Sequence, residues 1–97
     1  MKNRADILKT LAAHREELKQ RYRVKELGIF GSVVRGEQKG TSDVDILVEF
    51  EKPIGFFMFL ELEEYLSTLL GVKVDLVSKK ALKPNIGRYI LQEVIPV

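Results

Sequence analysis

The sequence predicts a small α/β (α+β) domain, with helices packed on one face of a short mixed sheet in the order α-β-α-β-α-β-α. Three observations carry this. Segments 43–50 and 72–77 alternate apolar and polar residues with the period of half-buried strands. Around them lie longer segments whose apolar residues recur three and four apart, the period of a helix packed on one side. Glycine, proline or polar clusters separate the two kinds. At 97 residues the chain is expected to form one domain, 1–97, and no internal repeat divides it.

Asn3 can cap a first helix, and Asp6 lies favourably near its positive end. Ile7, Leu11, Leu18 and Tyr22 then fall on one stripe, with Lys9, Arg15, Glu16 and Lys19 opposite. One amphipathic helix of about five turns follows, its stripe in the core. Val24–Phe30 is apolar and β-compatible. A strand is predicted there, then a tight turn at Gly31 and a short helix over Ser32–Arg35. Residues 36–42 are polar with two glycines, and a loop is expected there. In 43–50, Val44, Ile46, Val48 and Phe50 share one face, while Asp43, Asp45, Leu47 and Glu49 share the other.

Pro53 and Gly55 break the chain before a helix from about Phe56 to Leu70. Phe59, Leu62, Leu66 and Leu69 keep its inward rhythm, and Glu61, Glu63 and Glu64 point to solvent. Gly71 suits the position just past its end. In 72–77, Val72, Val74 and Leu76 turn inward, Lys73 and Asp75 outward. Pro84 fits the first turn of a last helix carrying Ile86, Tyr89, Ile90 and Val94, although Gly87 and Pro96 interrupt its pattern.

Composition narrows the function classes. The absence of cysteine excludes disulfides and thiolate metal sites, and fits a reducing, cytoplasmic setting. Charge precedes any apolar run at the N-terminus, so no signal peptide is expected. No apolar run approaches the roughly 20 residues that a membrane span needs. The 16 Lys and Arg are scattered among 14 Asp and Glu, with a net charge of +2. That leaves no basic stripe interleaved with aromatics, so nucleic acid is not expected as a direct partner.

The chemistry concentrates in two motifs. Asp43 and Asp45, two apart on a strand, send both carboxylates from the same face. Such a pair repels itself, and a divalent cation relieves the conflict. Mg²⁺ suits it, because that ion prefers hard oxygen ligands and keeps places for phosphate oxygens and water. Asp75 stands on the polar face of its own strand, so neighbouring strands would bring three carboxylates together, as two-metal phosphoryl chemistry requires. A bare Asp-x-Asp also arises as a solvated strand edge or a turn cap. Gly31-Ser32 is the second motif. Glycine at a strand end lets backbone approach a phosphate, and the following helix offers unpaired N–H groups. The alternative is a plain turn capped by Ser32.

In combination the motifs are specific. Gly31-Ser32-x-x-Arg35-Gly36, then Ser42-Asp43-x-Asp45, then an alternating strand bearing Asp75, resembles the DNA-polymerase-β-like nucleotidyltransferase superfamily. Within it, nearly the whole chain looks like the minimal nucleotidyltransferases (MNT), the antitoxin halves of HEPN/MNT toxin–antitoxin pairs. The resemblance implies a single Mg²⁺-dependent nucleotidyltransferase domain using two Mg²⁺ ions and ATP. Gly31 and Ser32 would hold the β- and γ-phosphates, and Asp43 and Asp45 would ligate both metals. Asp75 would ligate the catalytic metal and help deprotonate the attacking hydroxyl. Arg35 would meet phosphate or the acceptor, or else be a surface arginine. Ser42, on the nucleotide side, would cap or orient the loop before Asp43.

The resemblance further implies an antitoxin that transfers AMP to a tyrosine of a HEPN ribonuclease toxin, in a hetero-oligomer with it and away from membranes. Two other readings stand beside this one: transfer to a small hydroxyl-bearing molecule, or a non-catalytic antitoxin that covers its toxin. Elsewhere the residues read more plainly. His14 is expected mid-helix and solvated. Tyr22 and Tyr65 are expected at the core edge with wet hydroxyls. Phe56, Phe57 and Phe59 exceed what one helix face can bury, which leaves either an exposed apolar patch or core packing.

Overall fold

The structure is a computed structural model that describes residues 3–37 and 43–97. Helix α1 (Arg4–Ala13) starts as expected, with the Asn3 side chain accepting from the Asp6 N–H at 2.9 Å. The expected five-turn helix is two helices, because the chain breaks at His14 (φ −106°, ψ 8°) before α2 (Arg15–Tyr22). His14 turns its N–H back to the Leu11 carbonyl. Its Nδ1 donates to the Thr10 carbonyl at 2.9 Å, so this ring is a hinge fastener rather than a solvated mid-helix residue. The stripe survives the break: Ile7, Leu11, Leu18 and Tyr22 are all buried. Tyr65 donates its hydroxyl to Glu17. The Tyr22 hydroxyl, against expectation, is buried with no partner among the described residues.

Strands β1 (Val24–Phe30), β2 (Val44–Phe50), β3 (Val74–Ser78) and β4 (Ile95–Pro96) form a sheet in the order β3-β2-β1-β4. The β2–β3 pair is parallel, and the other two pairs are antiparallel. The parallel crossover is supplied by α4 (Phe56–Leu70), which buries Leu62, Leu66 and Leu70 against Ile46, Val48 and the α1–α2 stripe. Each buried aliphatic side chain of this size contributes about 1.5–3 kcal/mol. That packed face fixes the sheet, and the opposite face inherits its geometry.

The outer strand β3 is pinned from α4. Ser67 Oγ accepts from the Val74 N–H and the Glu63 carboxylate accepts from the Leu76 N–H, both at 2.9 Å. Glu63 therefore does not simply face solvent. Strand edges of this kind present unpaired N–H groups, and here two side chains occupy them, holding Asp75 in register between.

The last helix, α5 (Pro84–Glu93), opens on Pro84 as expected but does not bury its apolar stripe. Ile86 is 60% exposed and Tyr89 73% exposed, while Gly87 is the buried residue. Gly87 lets the helix approach Leu82, since a Cβ there would lie 3.0 Å from that of Leu82. Strand β4 was not anticipated. It pairs with β1 at the sheet edge, where a proline is tolerated. Val94 lies across Gly28 on the face opposite the core; a Cβ on Gly28 would come within 2.6 Å of it. Among the described residues no helix is long and apolar enough to cross a membrane.

Candidate active site

The sheet face opposite the core carries Asp45 and Asp75. Strand register sets Phe30 opposite Asp45 and places Asp45 beside Asp75 on the adjacent parallel strand. Residues paired this way share a face. Asp43 immediately precedes β2, where the Val44 N–H reaches the Lys73 carbonyl at 2.9 Å. Its carboxylate is half-exposed and stands 3.8 Å from Lys73 Nζ, a surface pair of small energetic weight.

Asp45 is the most constrained of the three. Partial burial pushes its carboxyl above the usual range, and the negative charges of Asp75 and then Asp43 push it further. Arg35 offsets part of this, and Glu93 adds to it. The crowding fits a cation. All the donors are hard oxygens on one face, and charge repulsion among them is what a divalent ion removes. Among the described residues no group of three or more His, Asp or Glu side chains is placed to hold a metal ion. Mg²⁺ asks for no such group, since one or two carboxylates normally suffice and phosphate and water fill the rest.

Gly31 ends β1 at φ +79°, ψ −151°, a conformation that L side chains avoid. It also faces Asp45, because a Cβ on Gly31 would overlap Asp45 Oδ2. Strand β1 and the short helix α3 (Ser32–Arg35) meet there. Gly31 is the cap residue and its carbonyl receives the Val34 and Arg35 N–H groups at 3.0 and 3.1 Å. Ser32 is the first helical residue, so it does not cap α3 and its hydroxyl is not committed to that role. Ser42 lies outside the described residues.

Arg35 closes the group from the α3 side. It donates from Nε to Glu37 at 2.9 Å and from one terminal nitrogen to both Glu93 oxygens at 3.0 Å. The same Glu93 carboxylate accepts the Gly31 N–H. Glu93 was not singled out from the sequence, being 62 residues from Gly31 at the end of a helix read as core. A signal was present: an acid in the last turn of a helix opposes the helix dipole, and such local conflict marks functional or strained positions.

Comparison with known proteins bears on the family and the fold. Residues 11–97 match the model of the nucleotidyltransferase domain. The chain is 53% identical over 92 residues to the protein adenylyltransferase MntA of Thermococcus cleftensis, covering 95% of this chain and 93% of that one. A solved structure described as a candidate minimal nucleotidyltransferase superposes with a TM-score of 0.76 at 41% identity, over 93% of this chain and 95% of that one. The fold also recurs in a chain of the complex described as tri-AMPylated Shewanella oneidensis HEPN toxin with MNT antitoxin (TM-score 0.63, 18% identity, 90% of this chain and 70% of that one).

Proposed function

The chain belongs to the nucleotidyltransferase domain family, and from that premise we propose that it is a Mg²⁺-dependent antitoxin enzyme that transfers AMP from ATP to a tyrosine of a HEPN ribonuclease toxin. The observation that carries the chemistry is Asp45, set beside Asp75 on the neighbouring strand, within reach of the Asp43 charge and packed against the glycine that follows β1. The protein acceptor is supported by the name of the 53% identical relative and by the modified toxin in the more distant complex.

In this reading the Gly31-Ser32 turn binds the β- and γ-phosphates through backbone N–H groups and the Ser32 hydroxyl. Asp43 and Asp45 would hold the two Mg²⁺ ions, and Asp75 would join them at the catalytic one. When bound, Mg²⁺ neutralises charge on the triphosphate and on the leaving pyrophosphate. Asp75 draws the proton from the acceptor hydroxyl, whose oxygen forms a bond to the α-phosphorus as the bond to the pyrophosphate oxygen breaks. Ser42 orients the loop entering Asp43. The exposed rings of Phe56 (69%) and Phe57 (84%) offer an apolar face for a protein acceptor.

Parallel reactions with ATP labelled in the α- or the γ-phosphate test the reaction type. AMP transfer moves the α-label to protein and leaves the γ-label in pyrophosphate. Protein labelled from the γ-position alone would identify phosphoryl transfer instead.

A further inference from the structure

Glu93 ties together the parts of the site that a triphosphate must reach. Its carboxylate accepts the N–H of Gly31 and two bonds from Arg35, and its charge bears on Asp45. A carboxylate held by a backbone N–H and an arginine is using the same donors that bind phosphate oxygens. The element that carries it is lightly held. Helix α5 leaves Ile86, Tyr89 and Leu91 exposed, and its buried residue is a glycine. Besides the Glu93 bonds, Gly87 approaches Leu82, and the two-residue strand β4 just past the helix pairs with β1.

We propose that Glu93 is a built-in competitor for the nucleotide: in the free chain it occupies the anion seat of Gly31 and Arg35, and the triphosphate evicts it. This rests on the Gly31-Ser32 turn being the phosphate seat. Arg35 thereby changes partner, from Glu93 to phosphate, and the last turn of α5 is released. Glu93 sets nucleotide affinity without ligating anything itself. Removal of one fixed negative charge beside the seat also lessens repulsion of the incoming triphosphate.

The test is calorimetry of the full chain with ATP and Mg²⁺, using wild type, Glu93→Gln and Ser32→Ala. Loss of a competing charge-assisted hydrogen bond predicts about tenfold tighter binding by Glu93→Gln, with weaker binding by Ser32→Ala. Unchanged or weaker binding by Glu93→Gln, with Ser32→Ala still weakened, overturns the competitor and leaves the phosphate seat standing. Ser32→Ala binding as well as wild type removes the seat and the competitor with it. Amide exchange on the wild-type chain gives a second readout that needs no variant to fold. Saturating ATP and Mg²⁺ should speed exchange across 84–93, whereas slower exchange there contradicts eviction.

Discussion

Gly31 and Asp45 are packed so closely that a Cβ on the glycine would overlap the aspartate's Oδ2. In the proposed function the strand end that would approach phosphate and the carboxylate that would approach metal are thus one contact. Gly31→Ala must displace Asp45 and also hold a side chain at φ +79°. The backbone term alone costs about 1–3 kcal/mol. Melting temperature should fall and ATP affinity should be lost together. A stable Gly31→Ala chain with unchanged affinity contradicts this packing constraint.

Ser32→Ala should behave differently. Because Ser32 follows the cap residue rather than being it, its loss should leave melting nearly unchanged. Loss of a charge-assisted hydrogen bond of about 1.5–3 kcal/mol should weaken ATP binding roughly 10- to 150-fold. A fall in melting temperature with affinity retained would return Ser32 to a structural role.

Asp45 predicts a pH dependence. Its folded-state carboxyl is raised, by burial first and then by Asp75 and Asp43. Between the unfolded and folded values the folded chain binds more protons than the unfolded one. This contribution to stability is therefore gained as pH falls through that window and lost as pH rises. Asp45→Asn should melt higher than wild type at neutral pH, and the gap should narrow toward pH values near the ordinary carboxylate range, about 4. A gap that widens on acidification reverses the sign and refutes the crowded-carboxylate description. Differential scanning calorimetry without metal measures it.

Much of this arrangement is legible in the sequence because it is local. Val44 to Val48 alternate, so the face of Asp45 follows from period two, and Pro53, Gly55 and Gly71 bracket α4. The break at His14 was hidden because the buried stripe runs through it at helical spacing, while the turn depends on backbone and ring bonds to Leu11 and Thr10. Strand β4 is two residues long, too short for any period to show. Ile86 and Tyr89 look like core from spacing alone, yet α5 lies where little covers them. Glu93 depends on tertiary proximity to Gly31 and Arg35, which no spacing encodes.

Asp75→Asn should separate binding from turnover. Asp75 sits beside Asp45 on β3, with its strand pinned by Ser67 and Glu63, so the substitution leaves the frame intact. General-base assistance is worth roughly 10²–10⁴-fold, and kcat should fall by that order. ATP affinity should change little, because the interaction acts mainly in the transition state. Equal losses in both would make Asp75 a binding group only.

The central claim is AMP transfer to a protein tyrosine by the acidic trio. The direct measurement is mass spectrometry of a cognate HEPN toxin after incubation with the chain, ATP and Mg²⁺, beside the Asp43→Asn, Asp45→Asn double variant. The account predicts AMP adducts on a toxin tyrosine with the wild-type chain, and none with the double variant or without divalent cation. A toxin left unmodified by a chain that binds ATP, or one modified equally by the double variant, would contradict it.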